Sequence, residues 1–188
     1  LCSHERDWPF AVVNFLESMQ RELRLTPNDR VLAITTINFD MAVLEIYLPL
    51  ISGASVCVVD RDTAIDGAAM AERASNPRIT LMQATPAMWQ LLLEAGWTGN
   101  ARLKAISGGE AMVPSLAAEL LSRCAAVWNM YGPTETTINA TGFTLPEHVE
   151  EAPPIGRPIA NTDAYVLDRH MQPVVEGALE DDRQEACF

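Results

Sequence analysis

The stretch AAVWNMYGPTETT, residues 125–137, joins an apolar run to a tight turn. The run from Ala125 to Met130 is typical of a buried strand, and Gly132-Pro133 forces the chain to turn soon after it. Similar apolar runs occur at five other places, residues 31–36, 55–60, 79–83, 103–107 and 163–168. The sequence therefore predicts six strands.

Helical patterns lie between these strands. The segment from Pro9 to Leu23 carries its apolar side chains on one stripe, which indicates an amphipathic helix. Pro86 and Pro114 suit the first turns of two further helices, and Thr85 is placed to cap the first of them. The predicted helices are residues 9–23, 39–51, 66–74, 86–94 and 114–121. Strands that alternate with helices at this spacing indicate a parallel sheet covered on both faces.

The segments that directly follow the strands are the candidates for a binding site. Ligands of such sheets bind beyond the carboxyl ends of the strands. Four of these segments carry small or polar residues: 38–40, 83–85, 107–110 and 131–135. We expect them to converge on one edge of the sheet.

The turn within residues 131–135 offers oxygen atoms to a phosphate group and a metal ion. Thr134 supplies a hydroxyl and Glu135 a carboxylate, which suit an ATP phosphate and its magnesium ion. Tyr131 offers a flat face for a base. The alternative is a loop with a capping threonine and a solvated glutamate.

Two weaker signals come from Gly108-Gly109-Glu110 and from Asp40. The glycines would let the backbone approach a ligand closely, with Glu110 as an acceptor for a base amine. The alternative is an ordinary strand-to-helix turn. Asp40 stands at the start of an apolar helix, where the helix dipole alone would stabilise a carboxylate. The other interpretation is an anionic partner for an ammonium group that enters an apolar pocket.

Charge and composition argue against several classes of function. The formal net charge is −12, from 25 acidic and 13 basic residues without a Lys/Arg cluster, so nucleic-acid binding is not expected. No apolar run reaches the roughly 18–20 residues of a membrane span. The first ten residues show no signal-peptide pattern, which favours a cytoplasmic location. The four cysteines form no CxxC pair, which disfavours a disulfide framework or a zinc site.

These segments together resemble the adenylate-forming enzyme superfamily. Residues 129–135, NMYGPTE, are similar to its NxYGPTE signature, and the segments at 39–40, 108–110 and 155–158 fall in the family's order and spacing. His4, with the segment VNFL at 13–16, resembles the part that follows the family's phosphate loop. The resemblance is strongest to adenylation domains of nonribosomal peptide synthetases. It implies an α/β fold with a mostly parallel sheet flanked by helices, part of the large N-terminal subdomain of such an enzyme.

The resemblance also implies an activity and a set of site residues. The chain would activate an α-amino acid as an aminoacyl-AMP with ATP and Mg²⁺. Its partners would be a condensation domain and a carrier-protein domain that bears phosphopantetheine. Asp40 would hold the substrate ammonium group, while the catalytic residues Thr134 and Glu135 would contact the α-phosphate and bind Mg²⁺. The ATP site would comprise Gly108, Gly109, Glu110, Asn129, Met130, Tyr131, Gly132 and Thr134. The pocket for the substrate side chain would comprise Asp40, Met41, Leu44, Gln83, Ile106, Gly108, Met130, Ile138 and Asn139.

This implied pocket limits the substrate. It is mostly apolar and has no charged side chain except Asp40, so a strongly charged substrate side chain is not expected. The lining is similar to those associated with glycine, except that Asn139 stands where a bulky Trp would be expected. A somewhat larger neutral or polar side chain therefore stays open. Asp40 also disfavours an acyl- or aryl-CoA ligase, because a carboxylate buried opposite a substrate without an ammonium group would be costly.

The resemblance covers only part of an adenylation domain. The family's phosphate loop with its Lys would precede residue 1, and the ribose-binding Asp, the hinge and the C-terminal Lys would follow residue 188. We therefore expect residues 1–172 to be a partial adenylation domain and residues 173–188 to be a divergent or truncated acidic tail. Without the charge-neutralising lysine, we expect negligible adenylation by this chain alone. The alternative is a non-catalytic remnant of such a domain.

Overall fold

The computed structural model describes residues 8–168, 170–174 and 185–187, in which helices and strands alternate. The helices are α1 (Trp8–Leu23), α2 (Ala42–Ile51), α3 (Arg61–Ile65), α4 (Gly67–Ser75), α5 (Pro86–Glu94) and α6 (Pro114–Arg123). The strands are β1 (Arg30–Ala33), β2 (Ser55–Val58), β3 (Leu81–Ala84), β4 (Asn100–Gly108), β5 (Cys124–Tyr131), β6 (Thr141–Thr144), β7 (Arg157–Pro158), β8 (Tyr165–Leu167) and β9 (Glu185–Cys187). A search of these described ranges finds no helix that is both long and apolar enough to cross a membrane.

Seven of the strands form one sheet in the order β2-β1-β3-β4-β5-β6-β7. Strands β1 to β5 run parallel, and β6 and β7 are added antiparallel at one edge. The predicted fold class, a mostly parallel sheet flanked by helices, is therefore confirmed. The five parallel strands coincide with five of the predicted apolar runs, apart from small shifts at their ends.

Elements β6, β7, β8 and α3 differ from the sequence prediction. The apolar run at 163–168 does not join the main sheet, because its centre forms β8 and pairs with β9 in a separate two-stranded sheet. Strands β6 and β7 were not predicted, since they are short and contain glycine or proline rather than an apolar run. The short helix α3 was also missed. It is initiated by Asp60, whose carboxylate accepts a hydrogen bond from Thr63 N.

Each face of the main sheet has its own apolar core, because successive strand residues point to opposite faces. On one face, Leu81 and Ile106 pack with residues of α1 and α2. On the other face, Met82 and Ala105 pack with residues of α4, α5 and α6. Helices therefore cover both faces of the sheet, as the sequence predicts.

Local hydrogen bonds set where two of the helices begin. Thr85 caps α5, as predicted, since its hydroxyl accepts a hydrogen bond from Met88 N at 3.2 Å. Helix α2 begins at Ala42 rather than at residue 39. Before it, Phe39 N donates to Thr36 O at 3.0 Å and Ala42 N donates to Phe39 O at 3.1 Å, so the chain makes two successive turns. Asp40 therefore lies in a turn that leads into the helix.

Two parts of the sequence prediction fall on residues that the structure does not describe. His4 and its neighbours, which resemble the segment after a phosphate loop, lie outside the described residues. Residues 175–184 and 188 of the predicted acidic tail do so as well, whereas residues 185–187 of that tail form β9.

Candidate functional site

The loops that follow β1, β3, β4 and β5 meet at one edge of the sheet, as expected, and enclose a cleft of about 560 Å³. We call it the Asp40 cleft. Asp40 and Met41 line it from the loop after β1, Thr85 from the loop after β3, Gly109 from the loop after β4, and Ile138 and Asn139 from the segment after β5. Among the described residues that form its walls there is no Lys or Arg, and Asp40 is the single acidic side chain.

A second cleft of about 460 Å³ adjoins the first, and we call it the Tyr131 cleft. Its walls are residues 109–112, residues 129–133 and three residues of the later chain, Ala152, Pro153 and Ile155. Gly109, Gly132 and Pro133 line both clefts. The two clefts are therefore neighbours, and one ligand could extend from one into the other along these three residues.

The predicted site residues of β4 and β5 alternate between the two faces of the sheet. Ile106, Gly108 and Met130 occupy the strand positions that point towards α1 and α2. Asn129 and Tyr131 occupy the positions between them, which point to the opposite face, and both line the Tyr131 cleft. The predicted site residues of these two strands therefore lie on both faces of the sheet, and Met130, which packs towards α1 and α2, also contributes to the wall of the Tyr131 cleft.

Only part of the predicted substrate pocket is open. Asp40, Met41, Ile138 and Asn139 line the Asp40 cleft. The other side chains of the set do not line it and are buried, with at most 2% of their surface exposed: Leu44, Gln83, Ile106 and Met130. Of these four, Met130 lines the Tyr131 cleft instead.

Gln83 connects this buried group to the wall of the Asp40 cleft. Its Nε2 donates to Met41 O at 3.3 Å, while its Oε1 has no hydrogen-bond partner among the described residues. Gly108 lies close by, since a Cβ at this position would stand 3.1 Å from Met130 O and 3.8 Å from Asn139 Oδ1. A side chain larger than glycine at residue 108 would therefore press against the backbone of Met130, while its distance to Asn139 is that of an ordinary van der Waals contact.

The turn after β5 is tightly folded back on the chain that follows it. A Cβ at Gly132 would stand 2.5 Å from both Ala140 N and Asn139 Cα, so glycine is required there. Thr137 and Ile138 have positive φ angles of 65° and 73°, which are rare for β-branched residues. This strained path buries Ile138 and leaves the preceding short helix, Thr134–Thr136, near the surface. Strain of this kind collects at functional sites, and no pattern in the sequence indicates it.

Asn129 lines the Tyr131 cleft and holds a neighbouring segment of its wall by hydrogen bonds. Its Nδ2 donates to Pro154 O at 2.9 Å and to Pro153 O at 3.4 Å. The side chain is nearly buried, with 5% of its surface exposed. Asn129 therefore fixes the segment that faces Tyr131 and Glu110 across this cleft.

The sequence analysis does not single out Glu45 as a site residue, although it is the one carboxylate within the apolar helix α2 and could have been noticed for that reason. It is completely buried. Its Oε2 accepts hydrogen bonds from Ile34 N and Thr35 N, both at 2.9 Å, and its Oε1 accepts one from Thr35 Oγ1 at 2.7 Å. Burial raises the pKa of Glu45 to about 7, and the hydrogen bonds from Thr35 and Ile34 oppose part of that rise.

The Glu45→Gln variant is expected to lose a pH dependence of stability that the wild-type chain has. Because the pKa of Glu45 rises from an ordinary 4.5 to about 7 on folding, the protonated carboxyl stabilises the folded state. This stability is complete below the unfolded pKa and is lost as the pH rises to the folded pKa, by roughly 3 kcal/mol in total. Denaturant unfolding at several pH values measures it. The free energy of unfolding of the Gln variant, relative to wild type, should rise with pH between these two pKa values and stay constant above the higher one. A difference between the two proteins that is the same at every pH would contradict the raised pKa.

Comparison with known proteins adds independent information. The family model described as "AMP-binding enzyme" matches residues 3–179. A dimodular nonribosomal peptide synthase of Bacillus subtilis (strain 168) is 44% identical over 166 residues, which are 88% of this chain and 7% of that protein. A PKS-NRPS hybrid synthetase of Aspergillus candidus is 43% identical over 170 residues, which are 89% of this chain and 7% of that protein.

A solved structure is similar to this chain in both fold and sequence. The crystal structure of a four-domain nonribosomal peptide synthetase bound to AMP and glycine superposes with a TM-score of 0.81 and 40% sequence identity. The match covers 87% of this chain and 12% of the larger protein. The chain therefore spans only a small part of the length of the relatives it matches.

Proposed function

Because the chain belongs to the AMP-binding enzyme family, we propose that it selects an α-amino acid and activates it as an aminoacyl-AMP, using ATP, within a nonribosomal peptide synthetase. In this reaction an oxygen of the substrate carboxylate forms a bond to the α-phosphorus of ATP. The bond from that phosphorus to the bridging oxygen breaks, and pyrophosphate leaves. Carrier-protein and condensation domains of the parent synthetase are the proposed partners, with phosphopantetheine carried by the former.

The observation that supports this proposal is the pair of clefts that share Gly109, Gly132 and Pro133. An aminoacyl-AMP has an ammonium group and a base at its two ends, with a phosphate between them. Asp40 offers a half-buried carboxylate in one cleft, and Tyr131 offers an aromatic ring in the other. Within the described ranges, no other side chain hydrogen bonds to or pairs with the Asp40 carboxylate, so it is available to a ligand.

Thr134 and Glu135 are the proposed ligands of the phosphate and its metal ion. Thr134 lines the Asp40 cleft directly after the shared Pro133, and Glu135 is exposed in the same short helix. This donor set consists of oxygen atoms, and Mg²⁺ is commonly held by one or two carboxylates together with substrate phosphates. The residues therefore fit the ion, which would neutralise phosphate charge. In our proposal the Thr134 hydroxyl orients the α-phosphate and the Glu135 carboxylate holds the metal.

The base would occupy the Tyr131 cleft. The Tyr131 ring, with 42% of its surface exposed, offers a stacking face. The Gly109-Glu110 turn faces it with backbone groups and a carboxylate that can accept from an exocyclic amine. Asn129 supports this cleft by holding the Pro153-Pro154 segment, rather than by presenting a free amide.

The proposed substrate is a small neutral amino acid. Apart from Asp40, the walls of the Asp40 cleft are uncharged, and a charged substrate side chain buried there would lack a partner. Gln83 and Ile106 are buried rather than on the wall of the cleft, which favours a short side chain over a long one. The relative of 40% identity is bound to glycine, which supports a preference for glycine or a side chain slightly larger. Asn139 on the open wall would permit a hydrogen bond to a small polar one.

A thermal-shift series with non-hydrolysable aminoacyl-adenylate analogues tests this proposal on the chain itself. A ligand of the folded state raises stability by RT ln(1 + [L]/Kd), so turnover is not required. We expect a glycyl or other small neutral analogue to give the largest shift, with AMP giving a smaller one. A larger shift with a fatty-acyl or aryl adenylate would instead support a CoA-ligase relative. A cooperative melt without any shift would support a non-catalytic remnant.

A further inference from the structure

The loop between β1 and α2 carries Asp40, and a single buried carboxylate closes that loop. Glu45 lies on α2, just after the loop, and its two oxygens receive three hydrogen bonds from Ile34 and Thr35 at the loop's beginning, at 2.7 to 2.9 Å. Ile34 and Thr35, together with Thr36, form the wall of the Asp40 cleft on this side. The residues that Glu45 holds are therefore part of the cleft itself.

The middle of this loop is tied to the same frame. Phe39 N donates to Thr36 O, and Val43 N donates to Asp40 O at 2.9 Å. Asp40 is thus bonded to the start of α2 through Val43. On its other side it follows the turn from Thr36 to Phe39, which begins next to the residue that Glu45 holds, Thr35. Without the carboxylate, the start of the loop would lose its three bonds to α2, and two backbone N–H groups would have to find new partners.

The burial of Glu45 is not explained by packing. A buried carboxylate carries a large desolvation penalty, and an apolar side chain of similar size would avoid it. In the described ranges no Lys, Arg or His forms a salt bridge with Glu45, so only the loop's N–H and O–H donors offset the penalty. The one thing this carboxylate does that an apolar residue would not do is hold the loop.

We propose that Glu45 is a positioning residue for amino-acid recognition, which fixes the wall of the Asp40 cleft and the place of the Asp40 carboxylate. The inference rests on the proposed function, because it assigns Asp40 to the substrate ammonium group. None of the residues in the loop lines the Tyr131 cleft. Loss of Glu45 therefore weakens recognition of the amino acid and leaves recognition of the nucleotide unchanged.

Three substitutions separate this role from a general contribution to stability. Glu45→Ala removes all three hydrogen bonds. Glu45→Gln keeps them, because its carbonyl oxygen can accept from both N–H groups and its amide can donate to the Thr35 hydroxyl. Leu48→Ala is the matched control: Leu48 is also fully buried on α2, but it packs in the apolar core rather than against the loop. If Glu45→Ala does not fold, Thr35→Val takes its place in the experiment. This variant removes the hydrogen bond from the Thr35 hydroxyl to Glu45 with little change in side-chain shape.

The first measurement is the calorimetric Kd of each variant for two probes, AMP and the aminoacyl-adenylate analogue that stabilises wild type most. Glu45→Ala should weaken binding of the analogue by about tenfold or more and change the Kd for AMP by less than about twofold. Glu45→Gln should restore analogue binding to within about threefold of wild type. Equal weakening of both probes by Glu45→Ala, or a Leu48→Ala variant that reproduces its selective loss, would overturn the proposal.

The second measurement needs no ligand and separates this inference from the proposed function. Backbone amide NMR of the free chain should show shifted and less protected signals across residues 34–40 in Glu45→Ala, wild-type signals in Glu45→Gln, and no change there in Leu48→Ala. Unchanged amide signals of Asp40 and its neighbours in Glu45→Ala would contradict the inference. If the NMR changes occur but wild type binds neither probe, the proposed function fails while Glu45 still positions the loop.

Discussion

Gly156→Ala is expected to lower the free energy of unfolding by about 3 kcal/mol more than Gly96→Ala. Both glycines have nearly the same positive φ, 88° and 87°, so both variants carry the same backbone strain of about 1 kcal/mol. A Cβ at Gly156 would stand 2.0 Å from Gly142 O and 2.7 Å from Phe143 N, whereas a Cβ at Gly96 would meet nothing within 4 Å. The difference between the variants therefore isolates the close contact between residue 156 and β6.

The clash cannot be relieved by a side chain, because the nearest atoms belong to the backbone of β6. Strand β7 would have to move away, and with it the hydrogen bond from Ile159 N to Ala140 O. Denaturant unfolding of the two variants measures the difference, and their melting temperatures should differ by roughly 10 °C for a chain of this size. Equal losses in both variants would show that β7 is not held in the position described.

Asp40→Asn is expected to weaken binding of the preferred aminoacyl-adenylate analogue by about 100-fold, or about 2.7 kcal/mol. The variant keeps the shape of the side chain and removes the charge that would face the substrate ammonium group. The matched control is Glu72→Gln, which removes one negative charge from an exposed position on α4 outside both clefts. It should leave the Kd within about twofold of wild type, because exposed charges at a distance are screened by salt.

A second ligand makes the Asp40 experiment decisive. A des-amino analogue, with a hydrogen in place of the ammonium group, should bind wild type weakly and should bind Asp40→Asn no worse. The interaction between the Asp40 carboxylate and the ligand ammonium group would then appear as a coupling free energy, because the effects of the protein change and the ligand change on binding would not add. If Asp40→Asn weakens both analogues equally, Asp40 shapes the cleft but does not hold the ammonium group, and the assignment of an amino-acid substrate loses its main support.

Much of the fold could be predicted because its signals are local. The runs that became β1 to β5 are apolar and separated by helical patterns, and Thr85 before Pro86 is a cap that needs only adjacent residues. Strand β7 gave no such signal, because it consists of Arg157-Pro158 and exists only through pairing with β6. The place of β8 outside the main sheet is likewise a matter of tertiary pairing, which apolar periodicity does not report.

For the candidate site, the sequence predicts residues through a resemblance but not how they are arranged. The structure brings Asp40, Thr134 and Gly132 together on the wall of the Asp40 cleft, and their roles stay predictions. The hydrogen bonds of Glu45 could not be predicted, although its lone carboxylate in α2 stands out, since its partners Ile34 and Thr35 offer mainly backbone groups that every sequence has. The burial of Leu44 and Gln83 beside the cleft, rather than on its wall, depends on how α2 packs on the sheet.

The alternation of site residues along β4 and β5 limits how such a chain could be re-engineered. Positions 106, 108 and 130 face one side of the sheet while 129 and 131 face the other, so any contiguous stretch transplanted from a relative carries residues of both sets. Under the proposed function, exchange of whole segments would alter nucleotide contacts together with substrate preference. Exchange of every second residue would not separate the two fully, because Met130 faces α2 and also lines the Tyr131 cleft, whereas a library that varies Ile106 alone would leave the lining of that cleft unchanged.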